Sequence, residues 1–146
     1  VGLLHYSRRG KDFRDQSVSS GWYTLRFALQ PIDGNHVGTS PTRDFLVMVA
    51  AEQDAADKVW EMKDLMRMSA EAAGSSHPAM LCLQKATEGA EASMRHDEAH
   101  EWWILHTVGT GTADSKASVY GWLGELNRLF LSASSTICPR YITATR

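Results

Sequence analysis

GWYTLRFAL, residues 21–29, is the stretch that decides the fold of this chain. Large apolar side chains recur along it at every second position, which is the repeat of a β-strand that buries one face. The residues on that face are Tyr23, Leu25, Phe27 and Leu29. The opposite face includes Thr24 and Arg26, so the stretch predicts a half-buried strand.

Other strand patterns lie on both sides of this stretch. The further predicted strands are 1–7, 44–51, 79–84 and 101–108. One segment has a helical period instead, because Val59, Met62 and Met66 recur three and four residues apart. Asp54 can cap this helix and Gly74 can end it, which predicts a helix over 55–73. Strands at hairpin-like separations with one helix favour a mainly β fold, an antiparallel β-sandwich or open barrel with one α-helix in a crossover.

The domain organisation follows from a change of pattern after residue 111. We expect one β-sandwich-like domain over 1–111 and an atypical C-terminal tail over 112–146. The tail segment VYGWLGELNRLFLSAS fits an amphipathic helix or another strand pair, so the tail can be partly helical. We expect a chain trimmed from Asp114 to remain folded. The predicted core is Tyr23, Leu25, Phe27, Leu46, Val47, Leu81, Leu83, Leu105 and one of Trp102 or Trp103.

Composition excludes several classes of partner and site. A formal net charge of −2 without a Lys/Arg cluster argues against nucleic acid. The chain has no apolar run near the roughly 18 residues of a membrane span. Cys82 and Cys138 form no C-x-x-C pair, which favours two free thiols over one disulfide and leaves both open. The sequence also lacks the P-loop, G-x-G-x-x-G, G-x-S-x-G and H-E-x-x-H signatures.

The stretch QPIDGNHVGTSPTRD, residues 30–44, is far longer than the connection that two antiparallel strands need. Asp33, Asn35 and Asp44 offer the hard oxygen ligands that calcium prefers. His36 can serve zinc or act as a base. D-G-N is also ordinary turn chemistry, and a purely structural turn is the alternative.

A second polar cluster, HDEAH, occupies residues 96–100 before the Trp-rich strand. His96 and His100 can bind one metal ion together, and His77 can complete the site. A solvated acidic loop is the alternative. Trp22 and Trp102 lie on predicted strands, where burial is the commoner state. If exposed, they would form a platform for sugar rings or acyl chains.

The motifs QPIDGNHVGTSPTRDF and HDEAHEWW resemble those of a family of small exported proteins of soil bacteria, of the acidobacterial and planctomycete type. The resemblance covers roughly residues 1–112 and implies a β-sandwich and export to the periplasm or beyond. Residues 1–146 contain no signal peptide, which fits a trimmed or mature form. The family has no established activity. The sequence of the tail departs from the family pattern. A truncated or frame-altered end, as in a gene recovered from environmental DNA, would account for this. The chain is similar in kind to small metagenome-derived hydrolases of acyl-homoserine lactones.

Two functions follow as expectations. The first is a metal-assisted hydrolase of a small ester or lactone, such as an N-acyl-homoserine lactone, that uses Ca²⁺ or Zn²⁺. Its catalytic residues would be His36, Asp97 and His100. Its substrate-binding residues would be Trp22, Trp102 and Arg43. Its metal ligands would be Asp33, Asn35, Asp44, His77 and His96. The second is a non-catalytic exported module that binds carbohydrate or a protein partner. The sequence indicates no oligomeric state.

Overall fold

A computed structural model describes residues 2–55, 57–85, 93–108, 116–121 and 126–131. These residues form ten strands and one α-helix. The first five strands are β1 (Gly2–Tyr6), β2 (Gly10–Lys11), β3 (Ser17–Val18), β4 (Gly21–Leu29) and β5 (Asp44–Ala50). The last five are β6 (Met80–Lys85), β7 (Ser93–Asp97), β8 (Trp102–Val108), β9 (Lys116–Gly121) and β10 (Leu126–Leu131). A short 3₁₀ helix spans Ala51–Gln53, and α1 spans Met62–Ala73.

Eight strands form one antiparallel sheet, in the order β10-β1-β4-β5-β6-β9-β8-β7. The sheet curls into a half-barrel, and β2 and β3 form a separate two-stranded hairpin. The helix α1 lies in the connection between β5 and β6, which are adjacent antiparallel strands, so it does not lie in the predicted crossover. The predicted mainly β fold class is confirmed. Of the two predicted architectures, the open barrel describes the curled sheet better than the sandwich does. No helix among the described residues has the length and apolar character needed to cross a membrane.

The two faces of the sheet carry separate apolar clusters. We call the face that carries the larger cluster the inner face, and the opposite one the outer face. The buried residues of the inner cluster on the sheet are Leu4, Tyr6, Tyr23, Leu25, Met48, Leu81 and Leu105. On the outer face, Val47 and Val49 pack against Leu65 and Met68 of α1. Both clusters depend on the alternation of β4 and β5, whose register pairs Leu25 with Met48 and Arg26 with Val47.

The helix begins at Met62, seven residues later than predicted. Asp54 does not cap it, because its carboxylate accepts hydrogen bonds from Thr24, Arg26 and Trp60. Burial opposes the charge of this carboxylate, but these hydrogen bonds and the Arg26 guanidinium outweigh it and lower the Asp54 pKa. Asp54, and through it Trp60, is thus held against β4 before the helix starts. The helix ends as predicted, with Gly74 in the left-handed conformation.

The described part of the C-terminal segment is strand, which agrees with the strand alternative for VYGWLGELNRLFLSAS and not with the helical one. Residues 116–121 and 126–131 are strands of the main sheet, and β9 pairs with β6 on one side and β8 on the other. Trimming from Asp114 would remove β9, the strand through which β7 and β8 join the sheet. The expectation that the trimmed chain stays folded remains a prediction. Cys82 is a buried free thiol whose pKa is raised by burial, and Cys138 lies outside the described residues.

The predicted core is correct at most positions and wrong at Phe27. Tyr23, Leu25, Val47, Leu81 and Leu105 are buried. The half-buried members are Leu46, Leu83, Trp102 and Trp103. Phe27 is 59% exposed, because it lies close to the end of β4 and beyond the inner cluster.

Alanine substitutions on β4 test this placement. We expect Leu25→Ala to lower the free energy of unfolding by about 2–5 kcal/mol, because it empties a buried site. Phe27→Ala should cost less than about 1 kcal/mol, since its ring is largely in water. Urea unfolding of both variants measures the difference. A larger loss for Phe27→Ala than for Leu25→Ala would show that the inner face is assigned wrongly.

Candidate functional site

A cavity of about 520 Å³ opens on the outer face, between α1 and the loop that joins β4 to β5. Its apolar wall comes mainly from the sheet, from α1 and from the turn after β2. That wall includes Phe13, Ala28, Leu29, Phe45, Val47 and Met66. Polar side chains also line it: Arg14, Gln30, Asn35, His36, Thr39 and His77. A concave apolar site with a few convergent polar groups is the usual form of a small-molecule site.

Hydrogen bonds between Gln30 and Arg43 join the two ends of the long β4–β5 loop. The backbone N–H of Gln30 donates to the Arg43 carbonyl at 2.8 Å. The Arg43 guanidinium returns two hydrogen bonds to the Gln30 carbonyl, from Nε at 3.0 Å and Nη2 at 2.8 Å. The Gln30 side chain donates to Thr39 Oγ1 at 2.9 Å. Arg43, predicted to bind substrate, thus binds the loop backbone and is not among the residues that line the cavity.

Asp33 and His36 form a pair within this loop. His36 Nδ1 lies 2.6 Å from Asp33 Oδ1, and the same oxygen accepts the backbone N–H groups of Asn35 and His36. The hydrogen bond from His36 lowers the pKa of Asp33, so this carboxylate is ionised at neutral pH. An ionised carboxylate only accepts hydrogen bonds, so His36 donates through Nδ1. Thr39 Oγ1 holds the same turn by donating to the His36 carbonyl at 2.9 Å.

A second cavity, of about 380 Å³, contains part of the other predicted cluster. His100, Glu101 and Trp102 line it together with Lys11 and Asp15. His100 stacks on Trp102 with ring centres 4.6 Å apart, and its Nδ1 lies 3.2 Å from Asp97 Oδ2. This hydrogen bond lowers the pKa of Asp97.

His96 belongs to a separate pairing on β7. Its ring centre lies 4.8 Å from that of Trp103, its partner in the β7–β8 register. His96 Nε2 is 3.5 Å from Glu101 Oε2. His96 and His100 therefore have different aromatic and carboxylate partners.

The two predicted clusters do not converge. The β4–β5 loop leaves the sheet beyond the pair Leu29 and Asp44, whereas the β7–β8 turn leaves it beyond Asp97 and Trp102. The strand register across β6, β9 and β8 shows that the β4–β5 loop and the β7–β8 turn leave the sheet at opposite ends of its strands. His36 and His100 consequently line different cavities. The sheet register thus separates His36 from Asp97 and His100, which the sequence analysis grouped as the catalytic residues of one site.

The predicted metal ligands are divided in the same way. Asn35 and His77 line the first cavity with His36, whereas His96 pairs with Trp103 and Asp44 is exposed at the start of β5. Among the described residues, no three His, Cys, Asp or Glu side chains come together around one point. Asp33 Oδ1 already accepts three hydrogen bonds. These residues do not supply a complete protein ligand set for Ca²⁺ or Zn²⁺.

Trp22, the remaining predicted binding residue, lies outside both cavities. It is 41% exposed and stacks on His5, its partner in the β1–β4 register, with ring centres 4.3 Å apart. One face of its indole ring is therefore already covered by an imidazole.

Sequence reasoning missed the segment that follows β2. Phe13 and Arg14 line the first cavity, and Phe13 lines the second as well. Asp12, beside them, is only 2% exposed. The available signal was one aromatic residue, Phe13, inside the polar stretch RRGKDFRDQS.

Comparison of the chain with protein-family models, with curated proteins and with solved structures finds no match.

Proposed function

We propose that this protein hydrolyses a small ester or lactone with an apolar acyl arm, such as an N-acyl-homoserine lactone. The observation that carries the proposal is that His36, which is paired with Asp33, lines a largely apolar cavity of about 520 Å³. The apolar wall supplies burial for the acyl arm. The polar residues of the β4–β5 loop supply a base and hydrogen-bond donors beside the bound acyl arm.

His36 acts as the general base. Because Nδ1 donates to Asp33, the neutral imidazole carries its lone pair on Nε2. A water molecule loses its proton to Nε2 as its oxygen bonds to the carbonyl carbon of the substrate. Asp33 orients the ring and stabilises the imidazolium that forms, as the carboxylate does in a catalytic triad.

Arg14 and Asn35 provide donors for the oxyanion of the tetrahedral intermediate. Both residues line the same cavity as His36. Donors aimed at developing negative charge contribute strongly to acyl transfer. Collapse of the intermediate breaks the bond to the leaving oxygen, which takes the proton from His36. The products are an acid and an alcohol, or one hydroxy acid when the substrate is a lactone.

Substitution of His36 tests the base. We expect His36→Ala to lower kcat/KM for acyl-homoserine lactones or p-nitrophenyl esters by about 10²–10⁴-fold, the usual contribution of a general base. The melting temperature should barely change, because the side chain of His36 is 41% exposed. Ring opening measured in a pH-stat follows the lactone reaction.

His100→Ala is the matched control, because His100 forms the other exposed His–Asp pair and lines the other cavity. It should keep nearly full activity. Full activity in His36→Ala, or an equal loss in His100→Ala, would contradict the proposal. Saccharide binding at Trp102 with no ester turnover would instead favour the non-catalytic module.

Chelation tests the divalent metal that the sequence predicts. In the proposed reaction, proton transfer uses His36 and water, so we expect EDTA dialysis to leave most of the turnover. Metal analysis before and after dialysis gives the second readout. Loss of turnover that Ca²⁺ or Zn²⁺ restores would establish the metal-assisted form of the hydrolase and require ligands beyond the described residues.

A further inference from the structure

We infer that Phe13 is a specificity-determining residue that sets the length of the substrate arm by separating the two cavities of the outer face. The inference rests on the proposed function only in identifying that arm as the acyl part of the substrate. Phe13 lines both cavities. Its ring centre lies 5.8 Å from that of Phe45, in the first cavity, and 5.2 Å from that of Trp102, in the second.

The backbone fixes this partition in place. The N–H of Phe13 donates to the Met80 carbonyl at 2.8 Å, so the residue is attached to the start of β6. The preceding Asp12 accepts the N–H of Met80 at 3.2 Å and those of Arg14 and Gln16 at 2.8 Å each. Moving Phe13 aside by a backbone shift would break hydrogen bonds to a carboxylate that is 2% exposed.

The two cavities differ in chemistry. The first has an apolar wall that includes Leu29, Phe45 and Val47, whereas the second has Lys11, Asp15 and His100. A plain alkyl arm therefore ends at the Phe13 ring. With a smaller side chain at position 13, a longer arm can pass from one cavity to the other. Its far end then needs a polar group, because it reaches charged side chains.

Binding of two matched alcohol series tests this role without any turnover. The probes are straight-chain alkan-1-ols and α,ω-alkanediols of six to twelve carbons, titrated calorimetrically into the full chain. In the wild type, we expect affinity for both series to stop rising at one chain length. In Phe13→Ala, the longest diols should bind about tenfold tighter or more, because further methylenes are buried. Hexanol should bind as in the wild type.

Two further variants make the result decisive. Phe45→Leu enlarges the first cavity without opening a path to the second, so it should not improve binding of long diols. Phe13→Leu should shift affinity in the same direction as Phe13→Ala, and it replaces that variant if the alanine chain does not fold. Unchanged binding of long diols in the folded Phe13 variant, or an equal gain in Phe45→Leu, would overturn the inference. Because these are binding measurements, a failure of the proposed hydrolysis leaves their outcome readable.

Discussion

The buried carboxylate of Asp12 is the contact on which the outer face depends. It accepts hydrogen bonds from the backbone N–H groups of Arg14, Gln16 and Met80 and from the Gln16 side chain. Burial raises the pKa of Asp12, and these hydrogen bonds act in the opposite direction. A buried carboxylate without partners would cost several kcal/mol, so its partners cannot move independently of it. The turn between β2 and β3 is thereby fixed to β6, and Phe13 with it.

The proposed site is assembled from segments that are distant in the chain. The sheet brings together the end of β4, the start of β5 and the first residue of β6, while α1 and the β4–β5 loop form the rim. Gln30 makes that loop a closed unit, and Asp33 orients His36 within it. A rigid sheet that carries polar groups on ordered loops is a common way to position catalytic side chains.

Local pattern was sufficient for five of the ten described strands and insufficient for the site. The alternation in 21–29 predicted β4 at its observed bounds, but the strand is covered on both faces, with Leu25 buried on one and Thr24 and Ala28 on the other. The helix start was misplaced because Asp54 binds Arg26, a contact across 28 residues that no local cap signal contains. Phe27 continues the apolar alternation, yet its exposure depends on where the strand leaves the cluster. The D-G-N-H and HDEAH motifs were grouped by composition, whereas the register of the β5 to β8 region separates them.

The tautomer of His36, that is, which ring nitrogen carries the proton in the neutral form, tests the central claim most directly. Nitrogen-15 NMR of the histidine side chains, with His36 assigned through a His36→Gln variant, reports which ring nitrogen carries the proton. The Asp33 contact predicts that neutral His36 is protonated on Nδ1, and that its Nε2 resonance shifts when an apolar carboxylate fills the cavity. A neutral His36 protonated on Nε2, with a resonance that does not respond to the ligand, would contradict the assignment of this residue as the base.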